Sequence, residues 1–437
     1  MLLDEIRNRW ADAGSAFSRP IIRMGASSVS LDDILHANRN VVDSIPPCSV
    51  VAHIGEFTHS DISMLLGLID SGCIIAPLTD STAHQHELFF DDIGAEWVIQ
   101  SGDARSRPVK HPAHPLIAEL KSKKTAGLIL FSSGTTGAPK AAVHDFSKLL
   151  DKFRAYKRPP LRTLAFLLFD HIGGLNTLFH TLYNAGTIHV PISRQPSAVM
   201  KQVVEEKINL IPTTPSFLRL ALVERAFGGL DLSQLKLVTY GTERMDQTTL
   251  DRLNQTLPDH VDIRQTYGMS ELGIFPVKNR SKRELWICIT DPNIEVEARD
   301  GVLWIRSPHR MLGYLNAPGP FDKNGWFNTR DLVEFDGRYL RILGRNDEVI
   351  NVGGIKVHPK EIEEAAYALP EVCYAKVQGE PNPLLGQHIR LDVHLVEGVS
   401  ISKGEIRAKL SKLLGREKMP HRIGFREIPI TDRFKMG

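Results

Sequence analysis

Between Phe131 and His144 the chain reads FSSGTTGAPKAAVH. Ser132, Ser133, Thr135 and Thr136 crowd hydroxyls around Gly134 and Gly137, and one cation, Lys140, follows. The stretch continues an apolar segment, TAGLILF (125–131), that reads as a buried strand. A glycine-rich turn after a strand exposes backbone N–H groups that can surround phosphate oxygens, and hydroxyls and an ammonium add further donors. The spacing is not G-x-x-x-x-G-K-[ST], because Ala141 follows the lysine, and this argues against a P-loop nucleotide hydrolase. Read alone, the same composition also suits a polar surface turn.

The elements that must position this loop follow from hydrophobic pattern. CSVVAHIG (48–55) and CIIAPLT (73–79) read as strands around a helix, ISMLLGLIDSG (62–72), that Gly72 stops. Strand-like runs recur at TLAFLLF (163–169), TIHVPI (187–192), INLIPTT (208–214) and LKLVTYG (235–241). This alternation predicts an α/β body with parallel sheets. After about residue 285, short strands joined by D-G and N-G turns, as in FDGR and KNGW, predict antiparallel sheet. A last α+β unit follows, with helices over PKEIEEAAYALP (359–370) and KGEIRAKLSKLLG. The expected division is 1–345 and 346–437.

The totals narrow the class. Lys plus Arg number 53 against 51 for Asp plus Glu, a net charge of +2, so no global field draws the chain to nucleic acid or membrane. The four cysteines are scattered without a C-x-x-C pair, which argues against a disulfide or metal framework. The charged start, MLLDEIRNRW, does not read as a signal peptide. The expectation is a cytoplasmic protein with no nucleic-acid or membrane partner.

Five ordered motifs carry a resemblance. SSGTTGAPKAAVH, QTYGMSE (265–271), GWFNTRDL (325–332), GRNDEVINVGGIKVHPKEIE (344–363) and PITDRFK (429–435) resemble the signature segments of the adenylate-forming superfamily. That superfamily holds acyl-CoA synthetases, adenylation domains of peptide synthetases, and luciferases. The resemblance runs from about residue 48 onward and is nearest to short stand-alone acid–CoA ligases. It implies a large N-terminal domain of β-α-β subdomains with a small antiparallel barrel-like part, and a small mobile C-terminal domain. The implied chemistry joins a carboxylate to the α-phosphate of ATP, releases pyrophosphate, and passes the acyl group to a thiol. ATP, Mg²⁺ and either coenzyme A or phosphopantetheine are the implied cofactors and acceptor.

By the same resemblance, the loop from Ser132 to Gly137 holds the β and γ phosphates with Lys140 in support. Glu271 ligates Mg²⁺, with Thr136 near the ion. Tyr267 stacks on the adenine, next to Gly268 and Ser270, while Gly241, Thr242 and Glu243 line the other side of the nucleotide. Asp331 takes the ribose hydroxyls, a fit of carboxylate to diol, and Arg345 makes a second ribose or phosphate contact. Lys435 bridges the acid and the phosphate during adenylation. Asp347 is the hinge, after which Gly353 and Gly354 line a thiol tunnel. Two residues depart from the family pattern: Arg330 and Phe434 stand where glycines are usual.

By the same resemblance, LFDHIGGLNTLFHTLYNAG (168–186) borders the acid pocket, with Gly173 and Gly174 at its edge. If His171 faces the pocket, an aryl or acyl acid is implied. If Asp170 does, it would bind the ammonium of an amino acid. The acceptor stays open between coenzyme A, a separate carrier protein and an amine. The remaining alternatives are a stand-alone amino-acid-adenylating or amide-forming enzyme and a catalytically silent binding protein.

Overall fold

The computed structural model describes residues 2–14, 18–132, 138–155 and 157–427. Two seven-stranded sheets form the body. In the first, strands Val50–Ile54, Ile74–Leu78, Trp97–Gln100 and Gly127–Ser132 run parallel. Gly127–Ser132 then turns back antiparallel into Lys140–Asp145. In the second, Pro20–Met24, Arg162–Leu164, Thr187–His189, Leu210–Thr213, Leu237–Tyr240 and Asp262–Gln265 pair in parallel.

Strand residues alternate between two cores, as a sheet buried on both faces requires. Val51, Ile75, Leu128 and Leu130 join a core shared with the second sheet, through Ile22 and Ile188. Their neighbours Ala52, Ile74, Ala76 and Ile129 face a separate core with Phe89, Phe90 and Ile117. The shared core is filled by helices Leu2–Asp12, His59–Asp70, Phe146–Ala155 and Ile172–Tyr183. The helix His59–Asp70 starts on Thr58, whose side chain accepts from the Asp61 N–H, and gives way at Gly72, where φ is +72°.

One expected strand is shorter than its apolar run. TLAFLLF pairs only over Arg162–Leu164, and Leu167 instead lines a cleft. The run is apolar throughout, so pattern alone does not separate its strand from the turn that leads to the next helix.

Beyond residue 276 the sheet is antiparallel, in a six-stranded arrangement. Its central hairpin, Phe327–Asp336 with Tyr339–Arg345, turns at Gly337, where φ is +58°. After a short 3₁₀ turn at Asn346–Glu348, a five-stranded sheet and helices Pro359–Tyr367 and Lys403–Leu410 form the last unit, on their own core.

The last unit packs on helix Pro215–Val223 of the body. Cys373 and Tyr374 meet Leu220 and Val223, and the Tyr374 hydroxyl donates to the Ser216 carbonyl at 2.9 Å. Arg219 pairs with Asp246 at 2.5 Å, both buried, and its guanidinium lies 3.5 Å from the Tyr367 ring centroid. Asp246 also caps helix Gln247–Thr256 by accepting from the Thr249 N–H at 2.7 Å. Removing one member of a buried ion pair strands the other's charge, which costs more than the pair itself contributes. Arg219→Ala is therefore expected to destabilise the fold by roughly 3 kcal/mol, read as a lower urea midpoint. An unchanged midpoint contradicts the role given to this pair.

Candidate active site

Two adjoining clefts meet at the junction of the sheets and the last unit. The first, of about 610 Å³, is lined by Ser132, Lys140, His171, Gly173, Gly241, Thr242, Gly268, Ser270, Glu271 and Arg345, among others. The second, of about 860 Å³, is lined by Thr242, Glu243, Tyr267, Gly268, Asp331, Arg345 and Asp347. Thr242, Gly268 and Arg345 border both. Residues separated by more than 200 positions thus converge because the ends of several strands open at one place. Ser133, Gly134, Thr135, Thr136, Gly137 and Lys435 lie outside the described residues.

One end of the first cleft is built around a tyrosine that sequence reasoning did not select. Tyr314 sits on the short strand Gly313–Tyr314, paired antiparallel with Lys140–Asp145. Its hydroxyl donates to Glu271 Oε1 at 2.7 Å, and the Lys140 amine lies 5.4 Å from its ring centroid. Lys140 and Glu271 are thereby held about a common ring. Burial first, and the Glu271 carboxylate second, push the Tyr314 phenol well above its ordinary value, so it remains a donor.

His144, at the end of the opening motif, fixes the backbone beside Glu271. Its Nε2–H donates to the Ser270 carbonyl at 2.6 Å, while Nδ1 has no hydrogen-bond partner. Charging this ring would bury an unpaired N–H, and burial lowers its pKa from 6.5 to about 4. The unfolded chain therefore takes up a proton near pH 6.5 that the folded chain refuses until about pH 4. Stability must fall as pH falls across that window and level off below it. The loss attributable to His144 is on the order of 3 kcal/mol. Urea midpoints for the protein and for His144→Asn, compared at pH 7 and pH 4.5, test it. A variant with the same pH slope as the parent contradicts this assignment.

The second cleft holds a buried carboxylate, Asp331. The Tyr267 hydroxyl donates to Asp331 Oδ2 at 2.6 Å, and Arg345 stands 3.5 Å from Asp331 Oδ1. Burial raises the Asp331 pKa, against the lowering pull of Tyr267 and Arg345. Tyr267 is 8% exposed and uses its hydroxyl to orient the carboxylate. Gly268 is required here: a Cβ would come within 2.4 Å of the Gly273 carbonyl oxygen. Glu243 turns to helix Pro215–Val223 and accepts from the Ser216 hydroxyl at 2.6 Å and from its N–H at 3.2 Å.

Arg330 adopts φ +62°, the left-handed region that glycine enters without strain. It pairs with Asp347 at 3.3 Å, and Asp347 also stands 3.6 Å from Arg345. The departure from glycine therefore keeps the glycine backbone and ties the segment before the last unit to the cleft wall.

His171 and Asp170 separate. His171 caps helix Ile172–Tyr183, its Nδ1 accepting from the Gly173 N–H at 3.1 Å, and it lines the first cleft. That bond places the imidazole proton on Nε2. Asp170 is buried, takes a 3.3 Å hydrogen bond from the Thr79 hydroxyl, and does not appear in the wall of either cleft. His171 thus lines the first cleft, while Asp170 meets Thr79. Gly174 is likewise a packing residue, since a Cβ would lie 1.9 Å from the Leu168 carbonyl oxygen. Gly353 and Gly354 occupy the turn between Ile350–Val352 and Ile355–Val357 at φ +57° and +90°, away from both cleft walls.

Residues 50–315 match the model of the family described as AMP-binding enzyme. The chain belongs to that family. Among curated proteins it is similar to 2-succinylbenzoate–CoA ligase of Lactococcus lactis subsp. lactis (strain IL1403), at 28% identity over 71% of this chain and 69% of that one. It is also 30% identical, over 59% of its length, to a 4-coumarate–CoA ligase-like protein of Arabidopsis thaliana, of which the match covers only about half, 51%. Among solved structures, an anthranilate CoA ligase in complex with anthranoyl-AMP superposes with a TM-score of 0.82 at 18% identity, covering 100% of this chain and 95% of that one. The amide bond synthetase McbA from Marinactinospora thermotolerans gives 0.76 at 22% identity, covering 100% and 98%. At these identities the structures establish a shared fold: a large mixed α/β domain, an antiparallel part and a small C-terminal unit.

Proposed function

We propose that the protein is an ATP-dependent acid–thiol ligase. It joins a carboxylic acid to AMP, releases pyrophosphate, and transfers the acyl group to the thiol of coenzyme A or of a carrier-protein pantetheine. The observation that carries this reading is the convergence of Lys140, Tyr314 and Glu271 with Arg345 in one cleft that His171 also lines. Family membership and the relatives' names as CoA ligases support it.

On this reading each residue has a task. Lys140 offsets charge on the triphosphate of ATP and on the pyrophosphate that leaves, together with the hydroxyls and amides of 132–137. Asp331 binds the ribose diol, and Tyr267 orients that carboxylate while offering its face to the adenine. Gly241, Thr242 and Ser270 complete the nucleotide wall. Asp347 is the pivot for the 346–437 unit, which brings Lys435 to the acid and phosphate and then carries it away, placing Gly353 and Gly354 along the thiol path. Positioning and fixed charge supply most of the acceleration in such a site.

The metal requirement is consistent with the donor set. Among the described residues no group of three or more His, Cys, Asp or Glu side chains could hold an ion. Mg²⁺ commonly takes one or two carboxylates and completes its shell with phosphate oxygens and water. Glu271, with Thr136, fits that pattern. The bound ion would screen the polyphosphate and let a carboxylate sit beside it.

A cleft wall with His171 rather than Asp170 favours an aryl or acyl acid over an amino acid. No helix among the described residues is long and apolar enough to cross a membrane, in keeping with action on a small acid in the cytoplasm. The test is ATP–pyrophosphate exchange across aryl, fatty and amino acids. Exchange with aryl or acyl acids is expected. Exchange with amino acids alone contradicts the substrate reading, and exchange with none moves the silent binding-protein alternative forward.

A further inference from the structure

Helix Phe146–Ala155 buries Phe146, Leu149, Leu150 and Phe153. Lys152 lies beside that face, and its side chain runs inward instead of out to water. Its ammonium donates to Asn176 Oδ1 at 2.5 Å and to the Ile274 carbonyl at 3.0 Å, and it lies 4.8 Å from the Phe153 ring centroid. None of these partners is a carboxylate. Both Asn176 and Ile274 line the first cleft, and Asn176 stands about one turn along helix Ile172–Tyr183 from Gly173. A cation is thus seated directly behind the cleft wall.

The chemistry of the pair sets what the wall presents. An ammonium has donors only, so it takes the oxygen of the Asn176 amide. The amide N–H₂ is left over, and among the described residues it donates to no group. Its two donors are polarised by the cation behind them. Burial lowers the Lys152 pKa from 10.5 to about 7, so the ammonium form is present at neutral pH and an anion arriving in the cleft favours it further.

We infer that this part of the cleft binds a second oxygen acceptor on the acid substrate, such as a further carboxylate, a hydroxyl or a carbonyl, through the Asn176 amide held in place by Lys152. The inference rests on the ligase reading above and narrows its substrate class: the acid carries an acceptor besides the carboxylate that is activated. Asn176 contacts the substrate, and Lys152 is a positioning residue that sets the orientation and polarity of the amide. A site of this kind discriminates against an analogue lacking the acceptor, because its donors would be left unpaired out of water.

The experiment measures kcat/KM in ATP–pyrophosphate exchange for matched acids in which a methyl replaces a hydroxyl, or an isopropyl group replaces a second carboxylate. 4-Hydroxybenzoate against 4-methylbenzoate, and hexanedioate against 6-methylheptanoate, are two such pairs. In the best-used pair the acceptor-bearing acid is expected to lead by roughly 10- to 100-fold. Asn176→Leu, close in volume, should bring that ratio near one or invert it. Lys152→Met should also shrink the ratio, since the amide is then free to turn, and its thermal midpoint should not fall, because a buried cation has been replaced by an apolar chain. A ratio unchanged in Asn176→Leu overturns the inference, as does a preference for the methyl member in every pair used. Absence of exchange with every acid overturns the ligase reading instead, and this inference with it.

Discussion

Replacing Glu271 by Gln is expected to lower kcat/KM for ATP–pyrophosphate exchange by about 10²- to 10³-fold while leaving the fold intact. The substitution keeps the side chain's length and an oxygen that can accept from the Tyr314 hydroxyl, now at 2.7 Å from Glu271 Oε1. Only the negative charge is removed. If the carboxylate holds the cation that accompanies the polyphosphate, its loss weakens the ion and the phosphates together. The Mg²⁺ concentration for half-maximal rate should rise by about tenfold or more, and the thermal midpoint should stay near that of the parent. Activity within threefold of the parent at limiting Mg²⁺ contradicts the assignment. If Glu271 served only to anchor Tyr314, the neutral amide would serve nearly as well, so the metal titration separates the two roles.

The second large effect divides the reaction in two. Lys435→Ala should lower the adenylation half-reaction by on the order of 10³-fold and leave thioester formation from a supplied acyl-adenylate within a few-fold of the parent. The reason is that a cation bridging carboxylate and phosphate acts only while the acyl-phosphate bond forms. Stopped assays of the separate halves read this directly. Equal losses in both halves, or survival of both, contradict the role proposed for this lysine. Arg330→Gly provides a companion: it preserves the left-handed backbone while removing the 3.3 Å contact to Asp347 and a positive charge from the wall of the first cleft.

Much of the body was legible because its strands are apolar runs bounded by turn residues. Val50–Ile54 and Ile74–Leu78 are buried at every position, so pattern and outcome coincide. The run 163–169 misled because apolarity alone does not distinguish a strand from a buried turn, and only Arg162–Leu164 finds a partner strand. The departure of Arg330 from glycine was visible in sequence, but its meaning needed the positive φ and the contact with Asp347. Tyr314 carried no local signal. It acquires a place in the site only through pairing with Ala142, 172 positions earlier. Lys152 and Asn176 were equally silent, since a lysine near a helix's apolar face usually extends into solvent, and nothing in the local pattern says that its amine meets Asn176. His171 and Asp170 differ by one residue, and sequence left both open. The hydrogen bond from the Gly173 N–H to His171 Nδ1 and the Thr79 contact to Asp170 are what separate them.

The most direct measurement is a quenched incubation of the protein with ATP, Mg²⁺ and an accepted acid, with every thiol left out, followed by mass spectrometry of the bound small molecules. The account predicts an acyl-AMP retained by the protein at close to one per active site, with pyrophosphate released in equal amount. Cleavage of ATP to ADP and phosphate, or full turnover with no acyl-AMP on the protein, would contradict it.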